Sequence, residues 1–254
     1  MSERQGGEKA PTETGVGMIF NGDERAKKVG KVYIVHGWTY TITPWEPVVK
    51  KMEEEGVEVV LVKIPGLTKP SKAVWDVDGY VKYLEKSIPN GAIALGHSNG
   101  GRLLMNLCIK NPKKLKHLIL LDAAGVYEPS KKRDVTKKIA NFGKKLKNIP
   151  WLRKVYHKII GANDYDKAPE NMKKTLANML ESDKTLDISQ VTTPTTIIWG
   201  GRDTITPLHQ GKILKERIPK SRMIVREKWP HSAYLTYPME LAKLLVKVVG
   251  DVQK

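Results

Sequence analysis

The stretch Ala92-Ile93-Ala94-Leu95-Gly96-His97-Ser98-Asn99-Gly100-Gly101-Arg102-Leu103-Leu104-Met105 constrains this chain more than any other. A short apolar run ends in Gly-His-Ser-Asn-Gly-Gly, and a helix-forming run begins at once. That order predicts strand, very tight turn and helix, with the Ser98 hydroxyl at the apex. Such an apex needs a strained backbone, so that its side chain stands clear of the sheet. Gly96 and Gly100, two residues to either side, keep the corner free of Cβ atoms where strand and helix pass closest. The pattern is G-x-S-x-G. The Asn99 N–H, in the first turn of the helix, points to where negative charge would develop on a substrate carbonyl oxygen.

The rest of the chain has the size and composition to build a sheet around that turn. Its 254 residues suit one large domain with a substantial core. No apolar run approaches membrane-spanning length, and the N-terminus Met1-Ser2-Glu3-Arg4-Gln5-Gly6-Gly7-Glu8-Lys9 lacks an apolar signal core. The single cysteine, Cys108, follows the apolar periodicity of the helix after the turn and reads as a small core residue. The expectation is a cytoplasmic protein. The formal net charge of +17 is carried mainly by lysine. It admits a solvated lysine-rich surface or an anionic surface as partner. No nucleic-acid-binding motif accompanies it.

Strand and helix patterns alternate along most of the chain. Residues 1–14 read as a disordered tail, and Val16–Phe20 as a short edge strand. Strands are predicted at Lys31–Val35, Val57–Val62, the run before Ser98, Leu115–Leu121, Thr195–Trp199 and Arg222–Val225. Helices are predicted over Pro44–Glu55, Val74–Ser87, from the elbow to about Lys110, Leu208–Ile218 and Met239–Val249. Such alternation means parallel strands joined by right-handed crossovers, an α/β doubly wound sheet. Between about Tyr127 and Gln190 the alternation stops, and lysine-rich helical segments take over. The organisation is therefore an α/β core over 15–125 and 191–254, with a helical cap inserted at 126–190.

A serine nucleophile needs a base in hydrogen-bond reach and a carboxylate to orient that base. Of six histidines, His231 in Trp229-Pro230-His231-Ser232-Ala233 follows the last strand, at the sheet edge where ligands gather. His97 adjoins Ser98, but successive residues of a turn point apart. His117 starts a strand, His157 lies in the cap, and His209 sits early in a helix. For the acid, Asp203 ends the stretch Trp199-Gly200-Gly201-Arg202-Asp203; Asp122, at the end of the preceding strand, is the rival. His36-Gly37-Trp38 follows an early strand at the same edge. Gly37 lets the backbone approach a substrate, so that the Trp38 N–H joins that of Asn99 as an oxyanion donor.

These four motifs, in the chain order Ser, Asp, His, resemble the α/β-hydrolase-fold serine hydrolases, from roughly Lys31 to Val249. The nearest resemblance is to the capped branch that holds esterases, lactone hydrolases and carbon–carbon bond hydrolases. That branch often has an acidic residue before Pro-Gly, where this chain has Lys63-Ile64-Pro65-Gly66. Serine at position 98 argues against a dehalogenase, which would carry aspartate there. The resemblance implies hydrolysis of small to medium carboxylic esters, lactones included, through an acyl-enzyme, with no metal or cofactor. Carbon–carbon bond hydrolysis and a slow-turnover ligand receptor are the alternatives.

Overall fold

Runs such as Val32-Tyr33-Ile34-Val35 and Leu118-Ile119-Leu120-Leu121 put apolar side chains on both faces of a strand, so both faces must be covered. The computed structural model describes residues 29–38, 42–128 and 169–254. The tail at 1–14, the expected edge strand Val16–Phe20 and most of the expected cap lie outside the described residues. Six strands form one parallel sheet: β1 (Gly30–Val35), β2 (Val57–Val62), β3 (Ala92–His97), β4 (Leu115–Leu121), β5 (Thr195–Gly200) and β6 (Ser221–Arg226). Their spatial order is β2-β1-β3-β4-β5-β6.

The described helices are α1 (Glu46–Glu54), α2 (Val77–Ser87), α3 (Asn99–Lys110), α4 (Glu170–Ser182), α5 (Leu208–Arg217), α6 (Ala233–Thr236) and α7 (Pro238–Gln253). They cover the two faces of the sheet with separate cores. Val32, Ile34, Ile93, Leu95, Ile119 and Ile198 share one core with Val48 and Met52 of α1 and Leu241 and Leu245 of α7. Ala94, Leu118, Leu120, Ile197 and Trp199 point the other way, to Leu84 of α2, Leu104 of α3 and Leu214 of α5. The period-two alternation within each strand assigns each buried apolar side chain to one core or the other. Among the described residues no helix is long and apolar enough to cross a membrane.

Element boundaries differ from the sequence expectation where a cap or a tertiary bond intervenes. The helix expected from Val74 begins at Val77, because the Asp76 side chain accepts the Gly79 N–H at 2.7 Å and caps it there. The helix expected from Pro44 opens as a 3₁₀ turn, Thr43–Trp45, before α1. The last helix runs four residues past the expected Val249, to Gln253, with Val252 packed on the core beneath it. The short α6, directly after His231, has no clear apolar period and escaped the sequence reading.

This topology decides where a ligand can sit. The chain leaves β1 for β2 on one side and later returns to β3 on the other, so the crevice at their C-terminal ends is a topological switch point. His36-Gly37-Trp38 follows β1 and Ser98 follows β3, which puts both at that crevice. The helix after Ser98 lies extremely close to β1: a Cβ at Gly100 would stand 1.9 Å from the Val35 carbonyl oxygen. Nothing larger than a hydrogen fits. Gly100→Ala should therefore destabilise the fold by about 3 kcal/mol or more, read as a shift in the urea midpoint against wild type.

Candidate active site

Ser98 sits between β3 and α3 with φ 53° and ψ −123°, a backbone conformation that residues with side chains seldom adopt. Neighbouring backbone holds it there. The Ser98 N–H donates to the Leu121 carbonyl at 3.3 Å, and the Ser98 carbonyl accepts from Gly101 N at 3.0 Å and Ala124 N at 2.9 Å. A Cβ at Gly96 would lie 2.6 Å from the Gly101 backbone, so the corner closes only with glycine. A Cβ at Gly37 would lie 3.0 Å from Asn99 N, which shows the turn after β1 facing the elbow directly. The Trp38 ring is half-buried against the core.

Asp203 and His231 come together at the far end of the same edge. His231 Nδ1 donates to Asp203 Oδ2 at 2.8 Å. Since a carboxylate only accepts, Nδ1 carries the hydrogen and Nε2 is left with its lone pair. Backbone bonds lock the two loops together: Gly201 N and Arg202 N donate to Arg226 and Trp229 carbonyls at 2.9 Å each. Asp203 Oδ1 accepts the N–H groups of Ile205 at 2.7 Å and Thr206 at 3.0 Å. Burial alone would raise the Asp203 pKa, but these donors and His231 outweigh it and hold the carboxyl below its ordinary value. Among the described residues the Ser98 hydroxyl makes no hydrogen bond.

One residue that the sequence did not single out completes this arrangement. The Thr206 hydroxyl donates to Asp203 Oδ2 at 2.7 Å and stands 3.2 Å from His231 Nδ1, touching acid and base together. Its own carbonyl is fixed by Trp199 Nε1 at 2.9 Å. A threonine two residues before a helix carries no signal in sequence; only the fold of the acid loop brings it in. Asp122, the rival acid, does not reach His231. It is fully buried, its Oδ1 accepts Gly200 N at 2.7 Å, and its pKa is pushed well up by burial and by the neighbouring Asp203. His97 likewise points away from Ser98, and its Nε2 meets the main-chain carbonyl of His231 at 2.8 Å.

The comparisons with known proteins agree with this architecture. The family model described as Hydrolase_4, serine aminopeptidase S33, matches residues 26–234. The chain belongs to this family. A pimeloyl-[acyl-carrier protein] methyl ester esterase of Neisseria meningitidis serogroup A is 25% identical over 236 residues, covering 85% of this chain and 75% of that protein. One from Legionella pneumophila (strain Paris) is 22% identical over 214 residues, covering 80% and 88%. Among solved structures, an α/β hydrolase from the metagenome of Mar Chica lagoon sediments superposes with a TM-score of 0.65 at 19% identity, covering 93% of this chain and all of that one. An esterase from Exiguobacterium antarcticum gives 0.62 at 19% identity, covering 88% and 92%. This fold is that of the α/β hydrolases.

In this hydrolase the elbow helix is also tied to α4, the last helix before β5. Arg102 of α3 grips Asp183, just past the end of α4, with Nε to Oδ1 at 2.6 Å and Nη2 to Oδ2 at 2.8 Å. Its Nη1 donates to the Asn99 side-chain oxygen. Both ionic partners are almost fully buried. Breaking such a pair leaves a buried charge without compensation, so Asp183→Ala should lower stability by about 3–5 kcal/mol in urea unfolding.

Buried imidazoles dominate the acid response of the fold. Burial, reinforced by His231, pushes His36 down to about 3. Burial, with Arg222 and Lys116, pushes His117 down to about 4, and burial holds His97 well below its ordinary value. The folded chain therefore refuses three protons that the unfolded chain takes up as pH falls below about 6.5. Folded Asp122 opposes them by keeping one proton that the unfolded carboxyl has released. The unfolded state leads by about two protons. Stability should fall by roughly 3 kcal/mol per pH unit from about pH 6 to 5, measured by urea titration at each pH.

Proposed function

We propose that this chain hydrolyses carboxylic esters through an acyl-enzyme, with Ser98 as nucleophile, His231 as general base and Asp203 as the group that orients it. The observation that carries this reading is the 2.8 Å Asp203–His231 bond at the sheet edge where Ser98 stands on its strained turn. His231 Nε2, freed by the Nδ1–H bond to Asp203, takes the Ser98 proton as Oγ attacks the ester carbonyl. The Trp38 and Asn99 N–H groups receive the oxyanion. Collapse breaks the bond to the alcohol, and the imidazolium protonates the alcohol as it leaves. Water, deprotonated by His231, then releases the acid and restores the serine. Catalytic hydrogen bonds of this kind commonly tighten only around substrate, which accounts for the free Ser98 hydroxyl.

The relatives that act on a pimeloyl methyl ester support a small alcohol on a medium acyl chain, and an acyl-carrier link to that chain falls within the reading. Lactones of similar size fit the same chemistry. Residues 126–190 serve as the cap that selects the acyl group. The described part of that segment supports this. Asn171 Nδ2 donates to Ser71 O at 2.9 Å, Trp75 N to Thr175 Oγ1 at 2.9 Å and Asn178 Nδ2 to Trp75 O at 3.1 Å, seating α4 against the segment before α2.

The test is hydrolysis of p-nitrophenyl esters across acyl chain lengths, with Ser98→Ala in parallel. The variant should lose about 10⁴-fold or more of the turnover while its circular dichroism and urea midpoint stay at wild-type values. A folded Ser98→Ala protein that keeps its turnover would falsify the assignment.

A further inference from the structure

Two buried histidines serve neither as base nor as nucleophile in this reading. His36 and His97 are each 2% exposed, and their Nδ1 atoms are 3.0 Å apart. His97 Nε2 lies 2.8 Å from the His231 carbonyl oxygen. The rings of Trp45 and Tyr234 enclose the pair: His36 meets them edge-on at centroid distances of 5.6 Å and 5.0 Å, and His97 meets Tyr234 at 5.2 Å. The His231 ring stands 4.8 Å from that of His97. The cluster thus joins the end of β1, the elbow and the base loop across the full width of the site.

Where the hydrogens lie follows from donor and acceptor chemistry. A carbonyl oxygen only accepts, so His97 Nε2 carries a hydrogen. Two Nδ1 atoms at 3.0 Å need one hydrogen between them. A second hydrogen on His97 would make it a cation, buried with no carboxylate bonded to it among the described residues. The shared hydrogen is therefore on His36 Nδ1. His36 Nε2 is then a bare lone pair, and that atom is buried without a partner among the described residues. The reverse assignment would leave an N–H unpaired there and set two lone pairs against each other.

We propose that His36 and His97 form a neutral pair with locked tautomers, in which His36 Nδ1–H holds His97 and His97 Nε2–H holds the main-chain carbonyl of the base His231. Both are positioning residues, and the claim about what they position rests on the reading of His231 as the base. The residue between Gly96 and Ser98 is thus turned away from the chemistry in order to place the group that performs it. Neutrality serves the reaction as well. His231 becomes a cation in the transition state, and an uncharged ring 4.8 Å away does not oppose that charge.

Two measurements test this. The first is nitrogen NMR of the histidine side chains in the intact wild-type protein, which reads tautomers without reference to any substrate. His36 should show the Nδ1–H form and His97 the Nε2–H form, with neither titrating from about pH 8 to 5. Reversed tautomers, or a charge on either ring in that range, overturn the pair. The second compares His97→Gln, which keeps an N–H near the Nε2 position, with His97→Met, which keeps the length and loses the donor. Against a p-nitrophenyl ester, Met should lose about a hundredfold in kcat with KM little changed, and Gln should recover most of it. Equal kcat in the two variants overturns the positioning role. If instead Ser98→Ala retains turnover, the catalytic reading fails while the tautomer result stands by itself.

Discussion

The strained backbone of Ser98 is the constraint from which the rest of this structure follows. A left-handed conformation at a residue with a side chain costs about 1–3 kcal/mol and persists only where the surroundings over-determine it. Here the surroundings are close contacts between backbones. Glycine at 96 and 100 lets β3 and α3 turn against each other and against β1, and the Ser98 carbonyl receives two N–H groups at once. These contacts put the helix's first N–H groups and the Gly37 turn on one side of the serine. Strain, helix N-terminus and sheet crevice are one feature seen at three scales.

Around that centre the fold places polar groups under heavy burial and resolves each according to its chemistry. Arg102 and Asp183 stay ionic because two parallel hydrogen bonds join them. Asp203 stays anionic because four hydrogen bonds offset its burial. His36 and His97 have no such counter-charge and are driven neutral by burial. The result is a loop at His231 held through its main-chain carbonyl by His97 and through its side chain by Asp203.

Much of the fold was legible in the residues because its signals are local. Apolar runs of strand length alternating with amphipathic helices require a covered parallel sheet, and all six described strands lie where those runs fall. The elbow was legible because only glycine relieves its crowding. Asp203 and His231 were legible from their places after the last two strands, since the C-terminal edge of such a sheet is where loops converge. The helical cap expected at 126–190 lies mostly outside the described residues, and its weak period says nothing local about what it covers.

The amino-acid sequence by itself determined the doubly wound sheet, the strained turn at Ser98 and the order of the motifs, because each depends on the period of a strand or helix or on the absence of a Cβ. Only the tertiary structure decided that Asp203 rather than Asp122 meets His231, that Thr206 touches both, and that His97 reaches the base loop from the elbow. Asp122 directly follows β4 and Asp203 stands three residues beyond β5, so both are carboxylates at strand exits. Their difference arises from which loop lies over which neighbour. Hydrogen bonds between residues 134 apart, such as that from His97 to His231, have no period and no spacing to betray them. They exist because the loop after β6 runs back along the sheet edge, past Gly200 at the end of β5, to the end of β3.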